Sequence, residues 1–326
     1  MKEFYNKTIF FIGDSNIAQP YFLEYLRADL INTGKKTYLY NKGIPGARMD
    51  MVLNSVNEEI SVVKPDYAAL SFGGNDLGIW LYDAYSTVTE KILSEREQRI
   101  ENYCRALENI IVYLRDKNIE PILMTPLCYN ENITEKEDIK TDRDNKEKSA
   151  IKDTVFTKAT FKNVNENGQR VLSEKGKIIA EKYGVTVWDM YSATKKRADN
   201  TCFLPDGIHY NEKGHKIIAE AVYENMFGEK MQYYPIDERV KDVTALEQDE
   251  RAYFFVKYNL VFLSYGKKEG AELINIFNAF IKEKGYTEGL TEKRAAGFLR
   301  FIKDPTNNAK RIKEALDSLF DGFLKQ

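Results

Sequence analysis

The feature that most limits how this chain can fold is an alternation of short apolar runs with amphipathic stretches, extending to about residue 228. Thr8–Gly13 (TIFFIG) is a compact apolar run that stops at glycine and is followed by a helical pattern. Lys36–Asn41 (KTYLYN) and Tyr67–Phe72 (YAALSF) also stop at glycine-containing loops. Glu120–Thr125 (EPILMT) follows Ser94–Lys117, where Ile100, Tyr103, Leu107, Ile110, Ile111 and Leu114 recur at helical spacing. Val185–Met190 (VTVWDM) follows a helical segment that ends at Gly184, a helix-stop signal. Near-continuous apolar strands alternating with helices predict an α/β fold, a parallel sheet covered on both faces. Ligands of such sheets bind at the carboxyl ends of the strands. The polar motifs of this chain fall at those ends.

Two segments stand outside the alternation. Glu131–Lys148 (ENITEKEDIKTDRDNKEK) is a mixed-charge insertion, expected to be a solvated loop or short exposed helix, or else a lid beside the crevice. From about Tyr233 the chain reads as helical, with patterns near Thr244–Tyr265, Gly270–Lys284, Thr291–Ile302 and Asn307–Leu324. Ile274, Phe277, Phe280 and Ile281 form one apolar stripe; Ile312, Leu316, Leu319, Phe320 and Phe323 form another. Pro305 and Gly285 punctuate these patterns, and nothing in them has catalytic spacing.

Composition excludes several classes. Hydrophobic residues make up 43% of the 326, enough for a sizeable core, and the net charge of −2 supplies no field for nucleic acid. The amino-terminal apolar run is only Ile9–Ile12, which does not read as a signal peptide, and no stretch approaches the roughly 18 apolar residues of a membrane span. Cys104, Cys128 and Cys202 are odd in number and widely spaced, an arrangement that suits a reducing cytosol rather than a disulfide framework or zinc pair. The two histidines, His209 and His215, are too few for a histidine-rich metal site. Walker, nucleophile-elbow, dinucleotide and HExxH signatures are all missing.

Four polar motifs remain. Gly13-Asp14-Ser15-Asn16 follows the first strand. Either Ser15 stands exposed at a helix start that favours an oxyanion, or Asp14 or Ser15 merely caps that helix. Asn41–Met49 (NKGIPGARM) is either a plain loop or a place where a backbone N–H approaches a substrate oxygen. In Ser71–Gly78 (SFGGNDLG), Asn75 offers an uncharged N–H donor suited to an oxyanion, unless it only builds a turn. In Leu204–Asn211 (LPDGIHYN), Asp206 and His209 are spaced so that the carboxylate reaches Nδ1–H and leaves Nε2 as a general base. His215, near the start of a helical pattern, reads as a helix-end or packing residue.

In this order the four motifs resemble the SGNH hydrolases, the GDSL esterase/lipase superfamily: GDS, NKGIPG, GGND and DGIH supply its Ser, Gly, Asn and His blocks. The resemblance covers about the first two-thirds of the chain and extends to EKYGVTVWDMYSA and HYNEKGHKIIAEAV. It implies a flavodoxin-like three-layer α/β/α sandwich with a five-stranded parallel sheet ordered 2-1-3-4-5. It also implies Ser15 as nucleophile, His209 as base and Asp206 as its orienting partner. The implied oxyanion hole is the backbone N–H of Ser15, the backbone N–H of Gly46 and the side chain of Asn75, with Gly46 preferred to Gly43 as the second glycine of its motif. Asn16 departs from the family name, standing where GDSL has leucine.

The expectation is therefore a cytoplasmic serine esterase acting on a small or carbohydrate O-acetyl ester through an acyl-enzyme, with no metal or organic cofactor. The same triad passing its acyl group to an alcohol is one alternative, and a binding or scaffold protein with a vestigial site is another. Residues 1–232 are expected to form the hydrolase domain, with the insertion at about 130–160, and 233–326 a helical extension available for self-association or a protein partner. Neither nucleic acid nor a membrane is expected as a partner.

Overall fold

A computed structural model of the chain describes residues 3–51, 60, 63–83, 87–133, 139–140, 155–248, 250 and 305–320. Five parallel strands form the central sheet: β1 (Thr8–Gly13), β2 (Tyr38–Gly43), β3 (Tyr67–Ser71), β4 (Glu120–Met124) and β5 (Thr186–Trp188). Their spatial order is 2-1-3-4-5, as expected. β1, flanked by β2 and β3, is sealed on both faces, which is why it reads as an unbroken apolar run rather than an alternating one: Ile9, Phe10, Phe11 and Ile12 are all buried.

Helices cover both faces of the sheet. Short α1 (Ser15–Ala18) follows β1 directly, and α2 (Tyr21–Asn32) packs against α8 (Glu212–Phe227). Another four-residue helix, α3 (Gly74–Leu77), follows β3. Long α4 (Glu90–Asp116) is capped by Thr89 and buries Tyr103, Leu107, Ile110, Ile111 and Leu114 along one stripe, partly against α6 (Arg170–Tyr183). α6 ends at Gly184 in the left-handed conformation, as its position predicts. Between β4 and α6 lies α5 (Lys158–Val164), and α7 (Met190–Arg197) follows β5. Within the charged insertion, Ile139–Lys140 pairs antiparallel with Val155–Phe156, a strand pairing that periodicity did not predict. Most of Glu131–Lys148 lies outside the described residues.

Two described helices belong to the carboxyl-terminal segment. α9 spans 238–248, beginning six residues before the expected Thr244 because Asp237 caps it, accepting the Arg239 N–H at 2.8 Å. α10 (Pro305–Ser318) carries Pro305 at its first position, where proline starts a helix rather than breaking one. Val240, Val243, Ile312, Leu316, Leu319 and Phe320 join the same buried apolar cluster as the sheet. Phe320 meets Tyr38 of β2 edge-to-face at 5.6 Å. The patterns Gly270–Lys284 and Thr291–Ile302 lie outside the described residues. Among the described residues no helix is long and apolar enough to cross a membrane.

Candidate active site

A cleft of about 220 Å³ opens at the carboxyl ends of the strands, and Ser15, Gly46, Asn75, Trp80, Gln169 and His209 are among the residues that line it. Ser15, Gly46, Asn75 and His209 come from four separate segments that follow the strands. Ser15 is the first residue of α1, immediately beyond β1. Asp14 caps that helix by accepting the Asn16 N–H at 3.0 Å, so the capping task leaves the serine hydroxyl for other partners.

Ser15 Oγ lies 2.7 Å from His209 Nε2. On the other side of the ring, Nδ1 lies 2.5 Å from Asp206 Oδ2. The second Asp206 oxygen accepts the backbone N–H groups of Ile208 and His209, each at 2.9 Å. Burial pushes the Asp206 carboxyl upward, but the hydrogen bonds from His209 and Ile208 outweigh it and hold the group below its ordinary range. An ionised Asp206 only accepts, so Nδ1 carries the proton and Nε2 accepts from the serine hydroxyl.

The histidine loop is fixed by its own backbone. Leu204 N–H donates to His209 O at 2.8 Å, Gly207 N–H to Leu204 O at 3.0 Å, and Phe203 pairs with Tyr210 as an antiparallel bridge. The Tyr210 hydroxyl donates to the Cys128 carbonyl at 2.7 Å and anchors the loop to the chain beyond β4.

The two glycines of the second motif separate clearly. Gly43 ends β2; its N–H is occupied by Asn41 Oδ1 at 3.0 Å, and an added Cβ would collide with the backbone of Ala18. Gly46 lines the cleft with φ +80, and nothing stands within 4 Å of an added Cβ. Asn75 Nδ2 donates to the Ala47 carbonyl at 3.1 Å, which orients the amide; its second N–H remains to serve the cleft. Ser15, Gly46, Asn75 and His209 thus share one cleft, with Asp206 directly behind the histidine.

The sequence profile of the GDSL-like lipases and acylhydrolases matches residues 9–222. The chain belongs to this family. As a GDSL-like acylhydrolase it is a hydrolase of ester bonds. Solved structures similar to it include a lipase/acylhydrolase from Enterococcus faecalis, at 18% identity and TM-score 0.47, covering 69% of this chain and 99% of the other. The acetylxylan esterase Axe2 from Geobacillus stearothermophilus aligns at 20% identity and TM-score 0.47, covering 71% of this chain and 99% of that one. LAE5, an α/β hydrolase enzyme from the metagenome of Lake Arreo, Spain, aligns at 18% identity and TM-score 0.47, covering 69% and 97%. No curated protein matches the chain.

Within this GDSL-like fold, three residues near the cleft have contacts or shifts that the sequence reading did not give, although it named Asp14 as a possible helix cap and Asn16 as a departure from the family name. Asn16 brackets the histidine: its Oδ1 accepts the Tyr210 N–H at 3.1 Å and its Nδ2 donates to the Ile208 carbonyl at 3.4 Å. The only signal was that a polar residue replaced the leucine of the family name. Asp76, next to Asn75, accepts the Met49 N–H at 2.8 Å, and burial raises its carboxyl to about 7. Asp14 is likewise raised to about 6 by burial, against the opposing pull of the Asn16 N–H and His209. A larger groove of about 550 Å³, lined by Arg48, Asp50, Lys91 and Arg99, lies on the Asp76 side and contains neither Ser15 nor His209.

His215 has the packing role expected of it. It is buried in α8, stacks on Phe22 at 6.1 Å and lies 5.6 Å from the Tyr21 ring.

Proposed function

We propose that this chain hydrolyses a small O-acyl ester, of acetyl size, through an acyl-enzyme on Ser15. The observation that carries the reading is the continuous line from Asp206 through His209 to the Ser15 hydroxyl, which ends inside the cleft with Gly46 and Asn75. His209 Nε2 takes the hydroxyl proton as Ser15 Oγ bonds to the ester carbonyl carbon. The carbonyl oxygen becomes an oxyanion facing the N–H groups of Ser15, Gly46 and Asn75. Asp206 stabilises the imidazolium, which then protonates the departing alcohol as the ester C–O bond breaks. Water attacks the acyl-serine with His209 again as base, releasing the acid and restoring Ser15.

The size of the cleft supports a short acyl group. At about 220 Å³ it falls below the ~300–1,000 Å³ typical of pockets that enclose a drug-sized ligand. Trp80 and the amide of Gln169 in its wall suit a polar, sugar-sized alcohol portion.

The test compares p-nitrophenyl acetate, p-nitrophenyl octanoate and an acetylated sugar with the native chain and with Ser15→Ala, alongside labelling by a fluorophosphonate. Acetate turnover and Ser15 labelling that are both lost in Ser15→Ala are expected. Turnover that survives the substitution removes Ser15 from the mechanism, and a preference for octanoate removes the acetyl assignment.

A further inference from the structure

A buried carboxylate of the carboxyl-terminal segment is tied to β2 beside the active site. Glu247, on α9, holds Arg27 of α2 in a two-pronged pair, with Oε1 to Nη2 at 2.6 Å and Oε2 to Nη1 at 3.0 Å. Both side chains are only 2% exposed. Arg27 also donates to the carbonyl of Leu39 in β2 at 2.5 Å. Close by, Lys42 of β2 pairs with Glu250 at 2.5 Å, again buried. Removing such charges from water costs roughly what their attraction returns, so these pairs are a poor source of stability, and what distinguishes them is the position they impose on their partners.

That position concerns Asn41. Besides binding Arg27, Glu247 Oε1 accepts the backbone N–H of Asn41 at 2.8 Å. The Asn41 side chain then works in two directions. Its Nδ2 donates to the Ile17 carbonyl at 2.8 Å, inside the helix that begins at Ser15. Its Oδ1 accepts the Gly43 N–H at 3.0 Å and shapes the turn that leads to Gly46. One carboxylate from α9 therefore fixes the residue that ties the serine helix to the glycine turn.

We infer that Glu247 is a positioning residue for the hydrolase site, acting through Asn41, and that α9 is part of the active-site scaffold. The inference rests on Ser15 and Gly46 having the roles proposed above. Glu247→Leu removes both partners. Glu247→Asp keeps a charge for Arg27 but is one methylene too short to hold Arg27 and Asn41 together. Glu247→Gln retains an acceptor for the Asn41 N–H. Arg27→Met disrupts the ion pair while leaving Glu247 free to accept from Asn41.

The native chain and these variants are compared by kcat and KM on p-nitrophenyl acetate below each melting temperature, and by amide hydrogen exchange across residues 41–44 and at Gly46. Glu247→Asp and any folded Glu247→Leu are expected to lose about tenfold to a hundredfold in kcat with little change in KM, as misplacement of reacting groups does. Their exchange at Asn41 and Gly43 should rise at least about tenfold. Glu247→Gln should recover most of the kcat, and Arg27→Met should keep it despite a lower melting temperature. Wild-type kcat and unchanged exchange in Glu247→Asp overturn the inference, as does a kcat loss in Arg27→Met equal to that in Glu247→Asp. If the native chain cleaves no ester, the functional reading fails, while hydrogen exchange still decides whether Glu247 sets the turn.

Discussion

Ser15 and His209 are 194 positions apart, yet their hydroxyl oxygen and Nε2 stand 2.7 Å from each other. A parallel sheet brings this about by returning every strand in the same direction, so that β1 and the chain beyond β5 end on one side. The final adjustment is local. Asn16, adjacent to Ser15, bonds the backbone on both sides of His209 and locks the two loops together.

Asn16→Leu restores the residue of the family name and removes that lock. We expect kcat to fall about tenfold to a hundredfold with KM nearly unchanged, because the proposed base, His209, loses its register against the proposed nucleophile, Ser15. Steady-state kinetics on p-nitrophenyl acetate checks this. A kcat equal to that of the native chain would show that the loop keeps its place without Asn16.

Asp206→Asn separates chemistry from folding. The amide oxygen still accepts the N–H groups of Ile208 and His209, so the melting temperature should move little. Its NH₂ cannot accept from Nδ1–H, however, and the imidazolium loses its counter-charge. We expect kcat to drop by about 10³–10⁴. Retention of more than a tenth of the activity would mean that Asp206 does not orient the ring.

Gly43→Ala and Gly46→Ala should fail differently. An added Cβ at Gly43 meets the Ala18 backbone, which cannot step aside, and about 3 kcal/mol or more of stability should be lost. At Gly46 there is space, and the φ of +80 costs only about 1–2 kcal/mol. Activity should nevertheless fall in Gly46→Ala as alanine relaxes away from the positive φ and re-aims the N–H that the proposed oxyanion hole uses. Urea unfolding paired with kinetics distinguishes the two; equal stability losses would contradict the assignment.

His215 makes stability depend on acid. Burial, reinforced by nearby His209, depresses its pKa to about 3, so the folded chain holds the ring neutral while the unfolded chain protonates it near 6.5. The contribution is fully present above 6.5 and is lost as pH falls toward 3. At pH 5 the unfolded state gains roughly 2 kcal/mol from this residue. The ring packs against Phe22 and Tyr21, and among the described residues no side chain hydrogen-bonds either nitrogen, so His215→Leu should fold and remain active. Urea unfolding at pH 7 and pH 5 should show the native chain losing roughly 2 kcal/mol more than the variant. An identical loss in both would place the acid sensitivity elsewhere.

The strands and the four turns that supply Ser15, Gly46, Asn75 and His209 were legible in the linear chain, whereas the order of the sheet came from the family resemblance those turns carry. Their signals are local: an apolar run such as Thr8–Gly13 reports its own burial, and a glycine beside a polar residue reports its own turn. The start of α9 was misplaced because Asp237–Asp242 is mostly charged, and its helicity rests on the Asp237 cap and on packing of Val240 and Val243. The Ile139–Lys140 pairing was missed because two residues are too few to show a period.

The sequence by itself determined which residue types stand at the strand ends and therefore which chemistry was available: a hydroxyl, an imidazole with a carboxylate three residues away, and uncharged N–H donors. Only the tertiary structure decided that the Gly43 N–H is occupied by Asn41, that Asn16 holds the backbone on both sides of His209, and that Glu247 reaches back to Asn41 from 206 positions away. Periodicity and turn chemistry are set between near neighbours, and a chain carries them in plain order. The partner of a buried donor or charge is set by which segments the fold brings within about 3 Å, and no spacing along the chain encodes that distance.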